Sequence, residues 1–462
     1  MREEMAEKLK VVIIGAASPQ WGLTLSRDLI VTLSDEKFAD SYSPTLILED
    51  IDLENLEKQK ELALRIAKRM GSRVSIESST NQKQAIDGAR YVITSFAQGS
   101  LEAMQFDLEI PQEYGIFQPV GDTISIGGAI RAARNIPAML SIAKDIEDIG
   151  HSDAWLLNLS NPMSMLLRAV TKETEVRVIG CCHELYGGIE VLAKWLNFPY
   201  NEWRQQLEFD VLGINHCGWL QYLRINGEDG FKRIRDYLSE KGITSETKRL
   251  YLSHPELTMQ NVKINLFLRY GVLPYSGDRH TSEFFREFVN SGTNKGADYG
   301  VLLTTAQERL VSWRGKARAY IEELLRGEKE LDLKVSREAV SRIIAALLLG
   351  EKFYDVGNTP YHENSLPDIP DGAVLERMVT YDRNSATPDD VKPLPKELHD
   401  HLVLHTGIIE EIVQACIVGD RKLLTQALEK DPLLQNMQQD KVPEMIARLL
   451  DVHKEYVHQG FF

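Results

Sequence analysis

The sequence predicts an α/β chain in which a parallel sheet, covered by helices on both faces, is followed by an α+β, mostly helical second half. Three observations predict it. Strand-like and helix-like runs alternate through residues 10–180; long helical periods take over after about residue 200; and 462 residues is about three times the ~150-residue size of one domain. The expected division is a nucleotide-type domain over residues 1–200 and a second over 201–462 that completes a cleft.

The elements follow in order. Lys10–Ile14 is a compact β-branched run ending at Gly15, and Trp21–Leu33 carries Leu25, Leu29, Ile30 and Leu33 at helical spacing. Thr45–Leu48 reads as a second strand, running into Glu49-Asp50, and Leu53–Met70 as a helix with apolar positions 56, 62, 63, 66, 67 and 70. Val74–Glu77, Tyr91–Ser95, Ala154–Leu159 and Val176–Gly180 are further strand candidates, with an amphipathic helix at Ile136–Ile149. Glu208–Ile214 is expected as an antiparallel strand, Val301–Arg326 and Ser336–Leu349 as helices, and Asp382–Pro395 as a surface crossing. Helical segments resume from Glu397.

Composition narrows the function. With 43% hydrophobic and 26% charged residues the chain builds an ordinary globular core. Lys plus Arg number 53 against 68 Asp plus Glu, a formal net charge of −15, which argues against nucleic acid or an anionic membrane as partner. Met1–Lys10 has no signal-peptide pattern, and no uninterrupted apolar run reaches the ~18–20 residues of a membrane helix. Four cysteines, two of them adjacent, are no disulfide framework. A cytoplasmic, reducing compartment is expected.

Three clusters carry chemistry. The first strand runs into Gly15-Ala16-Ala17-Ser18-Pro19-Gln20-Trp21-Gly22, a turn into a helix where backbone N–H groups can receive a pyrophosphate, and Asp50 closes the second strand where a ribose diol would sit. Ala17 and Gln20 stand where the usual pattern has glycines; a plain strand–helix turn is the alternative. Cys181-Cys182-His183-Glu184 follows one strand and Gly213-Ile214-Asn215-His216 another. A thiolate and an imidazole from two such loops can hold one divalent ion, although a packed thiol and a satisfied histidine are the commoner outcome. Asn161-Pro162, Gly121-Asp122-Thr123 with Arg131 and Arg134, and Gly277-Asp278-Arg279-His280 supply amides, guanidinium groups, carboxylates and an imidazole. Turns and surface ion pairs are the bland readings of these.

Taken together and in this order, these pieces resemble a family 4 glycoside hydrolase. Gly271–Pro274 and the stretches Asn358–Pro360, Ile369-Pro370 and Ala373–Glu376 extend the likeness over nearly the whole chain. The resemblance implies a lactate/malate dehydrogenase-like fold and NAD- and Mn²⁺-dependent hydrolysis. Hydride leaves sugar C3, a base removes the C2 proton, the glycosidic bond breaks by elimination, water adds and the hydride returns. It also implies Gly15, Ala16, Ser18, Gln20 and Asp50 at the cofactor, Cys182 and His216 as metal ligands, Asn161 at the substrate, Asp122 as an acid near it and His183 as acid catalyst. The family's tyrosine base falls at Gly277 here, so Asp278 is the expected base and Tyr275 the substitute. Cys182-His183-Glu184-Leu185 departs from the pattern of the 6-phosphoglucoside branches, and the blocks Gly115–Asp122, Gly180–Glu184 and Gly277–His280 are most similar to the α-galacturonidase branch. A terminal uronate or an oligogalacturonide is then the expected substrate, with Arg131, Arg279 and His280 the cationic partners of its carboxylate. A homodimer or homotetramer is implied. Other sugars, a plain lactate/malate-type dehydrogenase and an inactive NAD-binding protein are the competing readings.

Overall fold

Six parallel strands come first. The computed structural model describes residues 6–39 and 41–462; of the Met1–Lys10 stretch discussed above, residues 1–5 lie outside the described residues. Strands β1 (Glu7–Ile14), β2 (Tyr42–Glu49), β3 (Ser75–Ser79), β4 (Tyr91–Thr94), β5 (Trp155–Asn158) and β6 (Arg177–Gly180) line up as β3-β2-β1-β4-β5-β6, all parallel. That is the Rossmann order expected from the alternation of strands and helices. Side chains alternate across β1: Val12 and Ile14 enter one core, Val11 and Ile13 another, so helices must cover both faces.

The sheet does not stop at residue 200. Strands β7 (Leu207–Ile214), β8 (Cys217–Ile225), β9 (Glu228–Asp229), β10 (Leu273–Pro274), β11 (Phe353–Pro360), β12 (Val374–Asp382) and β13 (Ser385–Pro388) extend it to 13 strands, with antiparallel β11 and β12 inserted between β6 and β7. The antiparallel strand expected at 208–214 is β7, in a hairpin with β8.

Several expected elements differ. The helix foreseen over Val301–Arg326 begins only at Ala306, capped by Thr305, whose hydroxyl accepts from the Glu308 amide; it passes through a π-helical turn, Arg309–Gly315, into Lys316–Leu325. Part of the expected surface crossing at 382–395 pairs back on β12 as β13. The helix foreseen at Ile136 starts at Ser125 and runs to Ile149, because Gly127 and Gly128 let its first turn pack against the backbone of Gly121 and Thr123. The helix Lys396–Val418 is long and apolar enough, at a mean hydropathy of 1.4, to cross a membrane; half of that window is buried inside the molecule.

Candidate active site

The β1 turn forms one end of the cleft. Gly15 has φ +88°, and a Cβ there would overlap the Ser95 carbonyl, so only glycine fits. Gly22 supplies the close helix–strand approach that Gln20 had seemed to forfeit, since a Cβ on it would overlap the Ala16 carbonyl. The turn keeps fewer free amides than the pattern promises. Gly15 and Ala16 donate to the Glu49 carbonyl, Ala17 to Asp50 Oδ2 at 3.0 Å, and Ser18, Trp21 and Gly22 bond within the turn. Among the described residues the Gln20 amide is left without a partner. Beside the turn lies a cavity of about 280 Å³ whose walls include Ala17, Asn55, Lys58, Gln59, Arg318 and Ile321. Gln59 Oε1 is buried there with no partner, and Ile51, next to Asp50, is 87% exposed. An unsatisfied amide oxygen, an acid and an exposed apolar side chain fit the adenosine end of a dinucleotide.

Cys182 follows β6 in the middle of the sheet, and His216 follows β7, on the other side of β11 and β12. His216 occupies the two-residue turn between β7 and β8 at φ +68°, a conformation costly for a non-glycine residue and one that clusters at functional sites. Thr123 Oγ1 lies 2.9 Å from Asp122 Oδ1 and 2.7 Å from His216 Nδ1. A carboxylate only accepts, so the hydroxyl donates to Asp122 and accepts from His216 Nδ1–H; that tautomer leaves Nε2 with a lone pair. Burial and the adjacent His280 push the His216 pKa down to about 3, keeping the ring neutral. Burial, with Glu376 and Glu184 nearby, holds the Cys182 thiol well above its ordinary value. A divalent cation reverses that preference and takes the thiolate outright. Among the described residues no group of three or more His, Cys, Asp or Glu forms a complete metal cage. Two ligands with open positions suit a catalytic ion rather than a structural one.

The loop after β10 gives Asp278 partners that the sequence did not show. Asp278 was expected as a base, but its carboxylate accepts from the amides of Val262 (2.8 Å) and Lys263 (3.0 Å) at the start of the helix Asn261–Tyr270. In return Lys263, fully buried, donates to the carbonyls of Pro274, Tyr275 and Ser276 at 2.7–2.9 Å. This reciprocal clasp commits Asp278 to holding the loop. The substitute, Tyr275, is equally committed: its hydroxyl donates to buried Glu376, which also accepts from Asn358 at 2.6 Å. The loop instead delivers His280, whose ring centroid is 3.9 Å from that of His216. His280 Nε2 is 3.7 Å from Glu184 Oε1, and its Nδ1 is buried without a partner. Burial raises the Glu184 carboxyl, but His280, His216 and the Gly277 amide outweigh it and bring its pKa to about 2.

The other expected residues are placed as follows. Asp122 is buried between Arg309 (3.2 Å) and Arg131 (3.7 Å); their charges outweigh its burial and hold it well below the usual carboxylate range. Arg131 Nε also donates to the Asn161 carbonyl, leaving the Asn161 side chain without a protein partner among the described residues. Arg279 Nη2 donates to the Pro119 carbonyl at 3.1 Å. His183 is exposed at the mouth, between Trp21 and Glu338, and the Glu338 hydrogen bond raises its pKa. Arg134 stands apart, buried against Asp107.

Sequence reasoning missed the roles of Thr123, Glu184, Lys263, Glu283, Arg309 and Glu376. Glu184 and Thr123 stand inside the motifs singled out above and were within reach; the others depend on long-range packing that no local pattern carries.

Comparison with known proteins agrees with this geometry. Residues 10–198 match the model of the family 4 glycosyl hydrolases and residues 211–434 that of the family 4 C-terminal domain. An alpha-galacturonidase of Thermoanaerobacterium saccharolyticum is 30% identical over 97% of this chain and 96% of its own. One from Bacillus subtilis is 31% identical over 93% and 94%. A crystal structure of a Bacillus subtilis protein assigned as a glucosidase, lplD, has a TM-score of 0.83 at 29% identity, covering 96% of this chain and 100% of that one. A 6-phospho-alpha-glucosidase from gut microorganisms, crystallised with NAD and Mn²⁺, shares the fold at 18% identity and a TM-score of 0.77 over 98% and 99%. With both family models matched in order along one continuous sheet, the chain belongs to the family 4 glycosyl hydrolases.

Proposed function

We propose that this glycosidase removes terminal α-galacturonides from galacturonate oligomers, using NAD and Mn²⁺ and working in the cytoplasm as a homodimer or homotetramer. The observation that carries the reading is the Asp122–Thr123–His216 relay, which leaves His216 Nε2 with an open lone pair while Arg131 and Arg309 flank Asp122 at its other end. The relatives named alpha-galacturonidase support the choice of sugar.

Bound NAD supplies a hydride acceptor and the divalent ion a Lewis acid for charge developing on the C2 and C3 oxygens. Gly15, Ala16, Ser18, Gln20 and Asp50 bind the dinucleotide at the β1 turn. Cys182 and His216 hold the ion, with Thr123 orienting the imidazole. Asn161 positions a sugar hydroxyl. His280, backed by Glu184, takes the C2 proton on Nδ1, a base with an orienting carboxylate behind it. His183, at the mouth, returns a proton to the leaving oxygen. Asp122 stays ionised and fixes the arginines that surround it.

The test is release of galacturonic acid from α-1,4-digalacturonate with NAD⁺, Mn²⁺ and a thiol reductant, repeated with each omitted. The expected result is hydrolysis that stops without NAD⁺ or metal and accumulates no NADH. Cleavage of an α-galactoside or α-glucuronide in its place overturns the sugar; net NADH without bond cleavage overturns the mechanism.

A further inference from the structure

Three guanidinium groups converge around a single ionised carboxylate, Asp122. Arg309 Nη1 lies 3.2 Å and Arg131 Nη1 3.7 Å from Asp122 Oδ2. Arg279 approaches across the Pro119–Gly121 turn, donating through Nη2 to the Pro119 carbonyl and the Thr304 hydroxyl. Glu283 does not balance them. Burial pushes its carboxyl up to about 8; Oε1 accepts from the amides of Val120 and Gly121, and Oε2 is buried without a partner. Exposed Glu308 lies on the Arg279 side. Asp122 is the one carboxylate directly paired with these largely buried guanidinium groups among the described residues, and buried cations are unfavourable without anions, so the cluster suits an anionic ligand.

The three arginines differ in what they have left to give. Arg131 spends Nε on the Asn161 carbonyl and points Nη1 at Asp122. Arg279 spends Nη2, which leaves only half of its side-on fork. Arg309 donates through Nη1 alone among the described residues, and its Nε is buried without a partner. A guanidinium grips a carboxylate with two parallel hydrogen bonds through either its Nη1–Nη2 or its Nε–Nη2 edge, and the bonds already made interrupt both edges of Arg131 and Arg279. Arg309 is therefore the only one of the three described arginines with a whole edge, Nε–Nη2, unused.

We infer that Arg309 is the specificity-determining residue of this enzyme, receiving the C6 carboxylate of the terminal uronic acid on its Nε–Nη2 edge while Asp122 holds the opposite side of the guanidinium. The inference deepens the proposed function and rests on it. An arginine fork grips carboxylates and phosphates alike, so the choice of a carboxylate rests on the proposed uronate substrate, and the 6-phospho-α-glucoside arm of the experiment separates the two.

The experiment compares full-length parent, Arg309→Met and Arg309→Lys, each with NAD⁺ and Mn²⁺, on p-nitrophenyl α-galacturonide, p-nitrophenyl α-galactoside and a 6-phospho-α-glucoside. In Arg309→Met, kcat/KM for the galacturonide is expected to fall about 100-fold, chiefly through KM. The galactoside loses at least about ten times less, so that the preference between them shifts by about an order of magnitude or more. Arg309→Lys, which keeps charge without the fork, falls between the two. Equal losses on both sugars, or an unchanged preference in a folded Met variant, overturn the inference while the proposed function stands. Should the Met variant fail to fold, the Lys variant decides by the same ratio. A parent that cleaves the galactoside or the 6-phosphoglucoside but not the galacturonide overturns the proposed function itself, and the inference with it. Calorimetric binding of free galacturonate to each variant supplies a readout independent of turnover, with affinity expected to fall in the same order.

Discussion

Two arginine–aspartate pairs lie inside the molecule, Arg134–Asp107 and Arg309–Asp122, and they are finished to different degrees. Arg134 places Nη1 and Nη2 on the two oxygens of Asp107, both at 2.7 Å, and Nε on the Gln98 carbonyl; His453 adds a contact at 2.9 Å from Asp107. Arg134 is 1% exposed and Asp107 fully buried. Every edge of that guanidinium is used, and it ties the helices Ser100–Glu113 and Ser125–Ile149 to the C-terminal segment carrying His453. The Arg309–Asp122 pair makes one contact and keeps a donor edge in reserve. Two buried ion pairs of the same type thus differ in how many of the guanidinium's hydrogen bonds are made inside the protein.

That contrast can be broken by experiment. Arg134→Met strands a buried carboxylate and is expected to cost about 3–5 kcal/mol, the largest effect of the set, read as a lowered urea midpoint. Arg309→Met is expected to leave the midpoint within about 1 kcal/mol of the parent; equal destabilisation by the two would erase the distinction. Next in size, Thr123→Val removes the hydroxyl that orients His216 and lowers Mn²⁺ affinity about 10–100-fold, measured by titration of free Mn²⁺. An unchanged affinity would show that the relay does not set the tautomer. Smallest is Asp278→Asn. An asparagine keeps one of the two helix-amide hydrogen bonds through Oδ1 and gives up the other, because its NH2 cannot accept, so about 1 kcal/mol of stability is lost and turnover stays within about tenfold. A loss of about a thousandfold would restore Asp278 to the role of base.

Legibility followed how local each feature is. The Rossmann half was readable because β-branched runs, glycine turns and helical spacing are short-range signals, and Gly15 and Asp50 fall within one strand–helix–strand unit. Cys182, His216 and Asn161 were readable as types positioned after strands, and Asp122 as an acid in a glycine-punctuated loop entering a helix. An acid flanked by Arg279 and His280 looks reactive from the sequence, and the hydrogen bonds of Asp278 were not legible there because its partners, the amides of residues 262 and 263, lie on a different helix. Strands β11 and β12 escaped notice for a related reason. Asn358, Glu376 and Arg377 are buried in them, and polar residues inside a strand hide the apolar pattern by which strands are recognised.

The stretch from Thr304 to Leu325 touches both ends of the cleft. Its Thr304 amide bonds to the Pro119 carbonyl, and its Arg309 meets Asp122. Further along, its Lys316–Leu325 helix carries Arg318 and Ile321 on the wall of the cavity beside the β1 turn, where Arg65 holds the Leu324 carbonyl. One continuous piece of chain is thus shared by the two occupants the enzyme is proposed to hold. Whatever order the dinucleotide imposes on that stretch is already in place when the sugar arrives. By linkage, the sugar returns the same increment to the grip on the dinucleotide.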